Sequence, residues 1–152
     1  MSNMEWKPHV TVAAVIEREG RFLMVEELID GVRRLNQPAG HLEHGESLIE
    51  AVIRETFEET AFYFRPTGLL SIYHCLAPVT RNTYIRFAFT GDITGHDPES
   101  PLDDGILQAV WLSPDEVRAR EQEWRSEMVW RCIEDWSAPE RLPLTALKTL
   151  PY

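Results

Sequence analysis

Only two cysteines, Cys75 and Cys132, occur in 152 residues, too few and too isolated for a disulfide framework or a zinc site. Both read as reduced core residues. No apolar stretch is long enough to cross a bilayer as a helix. The opening MSNMEWKPH lacks the basic and apolar regions of a signal peptide, so the expected compartment is the cytoplasm. Basic side chains are outnumbered: 15 Lys and Arg stand against 25 Asp and Glu, a formal net charge of -10. That balance argues against general nucleic-acid binding, which needs a basic face. An anionic small molecule stays open as a partner, but it would need local arginine, lysine or metal charge to overcome the repulsion. Internal repeats, linkers and low-complexity tracts are also absent. What remains is the composition of one soluble domain over residues 1–152, 43% hydrophobic and 26% charged, long enough to bury its own core.

The segments HVTVAAVIE (His9 to Glu17) and RFLMVEE (Arg21 to Glu27) are β-rich around Glu19-Gly20 and read as a hairpin. A short strand near Val32 to Leu35 runs into an irregular turn at Asn36-Gln37-Pro38-Ala39-Gly40. Ser47 and Glu50 form a capping-box pattern that starts a helix at Ser47. Its expected core-facing stripe is Ile49, Ile53 and Phe57. After Phe64 the chain is expected to turn at Arg65-Pro66. Strands over Leu69 to Pro78 and Thr83 to Ile93 follow, then a loop from Gly95 to Gly105 and a strand ending near Leu112. Ser113-Pro114 opens a helix of about eight residues, and a further helix is expected over Gln122 to Trp136. Strands on both sides of one helix, followed by helices, suggest an α/β fold with a mixed sheet between helices.

Glu55, Glu58 and Glu59 are the most informative residues. At about 100° per residue they share one helix face near the C-terminal end, where like charges repel and the macrodipole is opposed. Local rules are broken this way at functional sites. A hard divalent cation is the simplest relief, and an all-oxygen cluster suits Mg²⁺ or Mn²⁺ better than zinc.

From Gly40 the residues run Gly40, five positions, Glu46, seven positions, Arg54-Glu55, Thr56, Phe57, Glu58-Glu59, Thr60, Ala61, Phe62. This resembles the Nudix box, G-x5-E-x7-R-E-U-x-E-E-x-G-U, where U is bulky and apolar. Thr56 and Ala61 depart from it. Glycine is usual where Ala61 stands, and an alanine held left-handed there would cost roughly 1 kcal/mol. The segments WKPHVTVAAVIE, NQPAGHLEHGESL, YIRFAF and WRSEMVWRCIEDW extend the likeness over nearly the full length, to a subgroup of bacterial phosphatases in that family.

The resemblance implies a Nudix α/β/α sandwich and Mg²⁺-dependent hydrolysis, with Mn²⁺ a possible substitute. The implied substrates are small phosphorylated molecules: the diphosphate of the thiamine pyrimidine precursor, thiamine diphosphate, and nucleoside di- and triphosphates, with orthophosphate released. An ADP-ribose or dinucleoside-polyphosphate pyrophosphatase is the alternative, and a non-enzymatic ligand-sensing module is a third. No nucleic-acid or membrane partner is expected, and the chain is expected to be a monomer or homodimer. By position, Glu55 and Glu59 are the implied primary metal ligands, with Glu58 beside them and the Gly40 carbonyl able to join. Arg54 could orient Glu55 through a bidentate pair or simply pair with Glu50. Glu46 could pair with Arg54 or bind a metal through water. The general base is either Glu55 or a loop acid, Asp103 or Asp104. His41, Arg86 and Arg125 are candidate substrate contacts. Trp124, Trp130 and Trp136 read chiefly as packing residues.

Overall fold

The computed structural model describes residues 5–78 and 80–151. The mixed sheet expected from the sequence is present, in the order β5-β1-β7-β6. Its strands are β1 (His9–Val15), β5 (Ala39–His41), β6 (Phe62–Leu76) and β7 (Thr83–His96). β1 runs parallel to β7 and antiparallel to β5, and β6 closes the far side antiparallel to β7. A second sheet joins β2 (Glu17–Arg18), β3 (Arg21–Ile29), β4 (Val32–Asn36) and β8 (Ile106–Leu112).

The run VTVAAVI explains why β1 is central. A strand covered on both faces reads as continuously apolar rather than alternating. Val12, Ala14 and Ile16 face the core beneath helix α1 (Leu48–Thr60), whereas Val15 faces the core beneath α2 (Pro114–Arg118) and α3 (Met128–Trp136). Helices thus lie on opposite faces of the sheet. The expected hairpin around Glu19-Gly20 is formed, but by the two-residue β2 and β3, since β1 is occupied on both edges by β5 and β7.

Further corrections follow from long-range contacts. β6 runs unbroken through Arg65-Pro66, because register shifts on either side absorb the missing proline N–H. Opposite the proline sits Gly91, where a Cβ would lie 2.1 Å from the Arg65 carbonyl oxygen. The expected helix over 122–136 is shortened to α3, preceded by a single 3-10 turn at Glu121–Glu123. Trp124 is extended there and bridges to Leu35, while Arg125 N–H donates to the Leu35 carbonyl at 2.9 Å. α2 is five residues long, three fewer than expected, although its Ser113 capping box is formed. Among the described residues no helix is long and apolar enough to cross a membrane.

The capping box at Ser47 and Glu50 is formed as the sequence predicts. Of the stripe expected along α1, Ile49 packs against the core. Val52, Thr56 and Glu59 lie on the buried side, while Ile53 is 38% exposed. Thr56 is accommodated because its hydroxyl donates to the Val52 carbonyl at 2.7 Å, the satisfied arrangement for a buried helical threonine. Ala61 ends the helix at φ 62°, left-handed as the glycine-bearing motif would have it. Substituting glycine relieves about 1–2 kcal/mol of backbone strain. It also removes a buried methyl worth about 0.8 kcal/mol and frees the unfolded chain by about 0.4–1 kcal/mol. Ala61→Gly is therefore expected to shift stability by less than about 1 kcal/mol in urea unfolding.

Candidate active site

The carboxylates meet where α1 packs against β5. Gly40 makes the approach possible: a Cβ there would lie 2.1 Å from Glu55 Cδ and 2.3 Å from both of its oxygens. A glycine is thus required by close approach. Oxygens of Glu55, Glu58 and Asp103 all lie within 4.8 Å of one another. Asp103 is brought in by its own backbone N–H, which donates to the Glu58 carbonyl at 2.9 Å. Asp104 is exposed and stands outside the group. Of the two loop acids weighed from the sequence, the fold brings Asp103 to the helix.

Arg54 holds the acids in place. Its Nε and Nη2 donate to the two oxygens of Glu46 at 3.0 and 2.7 Å, so the bidentate partner is Glu46 and not Glu55. Nη1 donates to Glu55 at 2.8 Å and to Glu58 at 3.1 Å, and Nη2 also reaches the His41 carbonyl at 3.1 Å. Glu50, the other partner considered, is engaged in the capping box instead. Arg54 thereby holds the Glu46 carboxyl below its ordinary range, and Glu46 and Glu55 in turn fix the charge of Arg54.

The remaining acids are pushed the other way. Burial raises Glu55, with Arg54 opposing, and burial followed by the Asp103 charge raises Glu58. Glu59 is the extreme case: only 8% exposed, it is pushed by burial up to about 9, although its carboxylate accepts the Ala39 N–H at 2.9 Å. Glu59 stands apart from the Glu55, Glu58 and Asp103 group while lining the same cleft as Glu55. Four acids of raised or repelling charge, offering oxygen alone, match the donor set of a hard divalent cation.

The cleft lined by Glu55 and Glu59 encloses about 1000 Å³. Gly40, His41, Arg86 and Arg125 all line it. His41 and His9 share a 3.1 Å contact between ring nitrogens, and burial followed by His9 lowers the His41 pKa. Arg125 reaches Glu27 at 3.2 Å. Arg86 is 3% exposed and bonded to Gln37 and Asn36. Cys75 is corrected from core to half-buried cleft wall, whereas Cys132 is fully buried, and both are free thiols. The tryptophans pack elsewhere. Trp124 stacks on Trp130 at 5.8 Å, and Trp136 meets Phe22 edge-on at 5.4 Å. Sequence reasoning missed Asn36, Gln37 and Tyr84 as cleft components or supports; no local pattern marks them.

Comparison with known proteins agrees with this geometry. Residues 7–132 match the model of the NUDIX domain. The proteins named Phosphatase NudJ from Shigella boydii serotype 4 and Escherichia coli K12 are each 39% identical over 139 residues, covering 91% of this chain and 90% of theirs. A NUDIX hydrolase structure from Nitrosomonas europaea superimposes with a TM-score of 0.93 at 48% identity, over 95% of this chain and 98% of that one. A more distant likeness, in fold alone, is to a bifunctional NMN adenylyltransferase/ADP ribose pyrophosphatase from Francisella tularensis, complexed with AMP and a manganese ion. Its TM-score is 0.70 at 20% identity, covering 86% of this chain and 41% of that one. The chain belongs to the Nudix family and is a hydrolase of phosphoric anhydrides.

Proposed function

We propose that the protein is a Mg²⁺-dependent phosphohydrolase that removes orthophosphate from diphosphates and triphosphates of aromatic bases, including the thiamine pyrimidine precursor diphosphate, thiamine diphosphate and nucleotides. The observation that carries this reading is the gathering of Glu55, Glu58 and Asp103 oxygens within 4.8 Å, with Glu55 also lining a cleft large enough for a base and its phosphates. The phosphatase names of the relatives support orthophosphate as product. Cytoplasmic metabolites are the natural source of such substrates.

Glu55, Glu58 and Glu59 would hold the cation, with Asp103 and the Gly40 carbonyl beside them. When bound, such ions supply positive charge to phosphate oxygens and acidify water. The chain's own groups do the rest. Arg54 keeps Glu46, Glu55 and Glu58 from repelling one another and fixes the Glu55 carboxylate against Gly40. Glu55 or Asp103 accepts the proton of the attacking water, whose oxygen bonds to the terminal phosphorus as the bridging P–O bond breaks. Orthophosphate and the shortened phosphate ester leave.

A product screen with Mg²⁺ tests this. Thiamine-precursor diphosphate, nucleoside diphosphates, ADP-ribose and dinucleoside polyphosphates are compared by orthophosphate release and chromatography. Orthophosphate from the first two groups is expected. Turnover confined to ADP-ribose, giving AMP and a sugar phosphate, would replace this reading with the pyrophosphatase alternative.

A further inference from the structure

We infer that Arg86 is a specificity-determining residue that recognises an uncharged hydrogen-bond acceptor, a ring nitrogen or keto oxygen, on the aromatic group of the substrate. The inference rests on the proposed function, and deepens it by saying how the cleft selects the ring.

Arg86 sits on β7 in register with Thr11 of β1, and Thr11 is in register with His41 of β5. All three line the cleft. At about 4.8 Å per strand, the Arg86 backbone lies roughly 10 Å from that of His41, beside the glutamates. A phosphate group at the acids therefore leaves its ring on the Arg86 side.

Arg86 is 3% exposed, and the bonded partners of its guanidinium are all neutral: Gln37 Oε1 at 3.0 Å, Asn36 Oδ1 at 3.0 Å and Cys132 Sγ at 3.7 Å. No carboxylate pairs with it among the described residues. Of its five N–H donors these three contacts use three, leaving one on Nη2 and the one on Nε, which is buried with no partner. A buried cation so placed is costly unless something else meets it. Gln37 is itself anchored, donating to the Val129 carbonyl at 2.8 Å, so the guanidinium plane is fixed before any ligand enters.

The remaining question is which acceptor. Glu127 lines the same cleft and acts, as Arg86 does, on Cys75, so a second anion at this end would meet its repulsion. A neutral acceptor would not. Met128, Leu76, Pro78 and Tyr84 supply apolar and aromatic walls for the faces of a ring. The combination selects a flat ring with a polar in-plane edge.

Three synthetic substrates test this on the intact protein with Mg²⁺: benzyl diphosphate, pyrimidinylmethyl diphosphate of the same shape, and 4-carboxybenzyl diphosphate. The wild-type protein is expected to favour the pyrimidine over the benzyl compound by at least about tenfold in kcat/KM, the scale of a hydrogen bond to a charged donor. In Arg86→Gln that preference should fall to within about threefold, through KM rather than kcat. Equal use of the benzyl and pyrimidine compounds by the wild type would overturn the inference without needing the variant. A preference for the carboxybenzyl compound would overturn the neutral acceptor in favour of an anion. Failure of all three, alongside the nucleotides, would sink the phosphohydrolase reading instead.

Discussion

Glu59→Gln is expected to lower kcat/KM by at least about a hundredfold while leaving the chain folded, since a charged oxygen ligand is exchanged for a neutral one of the same shape. Glutamine can still accept the Ala39 N–H, so the contact between α1 and β5 survives. Stability separates this from simple damage. The folded chain keeps the Glu59 proton up to about 9, whereas the unfolded chain releases it near 4.5. Between those values the folded state binds more protons, and stability falls as pH rises through that window. Glutamine has no such proton to lose. Urea unfolding in EDTA should therefore show Glu59→Gln gaining on the wild type from about pH 5 to 9, with the gap narrowing when Mg²⁺ is added. Retained turnover in this variant would remove Glu59 from the metal site.

Arg54→Ala is expected to destabilise the metal-free protein by about 3 kcal/mol, the low end for breaking a buried ion pair because the guanidinium side chain is 22% exposed. Glu46, Glu55 and Glu58 then face one another without their shared cation. Two changes should restore part of the loss: lowering the pH, which protonates the acids, and adding Mg²⁺, which replaces the missing charge. Unfolding curves with and without Mg²⁺ check both. A deficit that Mg²⁺ leaves unchanged would mean that Arg54 acts only as packing.

The helix start was legible because a capping box is local: Ser47 and Glu50 are three residues apart and satisfy each other. The motif from Gly40 to Glu59 was legible for a related reason, since fixed spacing along one turn and helix brings its members together. The buried face of α1 was not. Ile49, Ile53 and Phe57 are the conspicuous apolar residues, but the face the core covers carries Thr56 and Glu59, whose polarity hides it. A threonine bonded to its own helix and a buried acid bonded to the Ala39 N–H both break the pattern that periodicity relies on. Nor could spacing choose between Asp103 and Asp104. The choice is made by one backbone hydrogen bond to Glu58, 45 residues earlier in the chain. Arg86 gives the same lesson at greater range: its partners Asn36 and Gln37 looked like part of a turn, and only the sheet register brings them under it.

A divalent cation held by Glu55, Glu58 and Glu59 would make phosphoric anhydride hydrolysis depend on that metal. Orthophosphate release from a nucleoside diphosphate, followed in EDTA and then on titrating Mg²⁺ back, tests it most directly. The account predicts no turnover in EDTA and saturable recovery with Mg²⁺. Undiminished phosphate release in EDTA would contradict it.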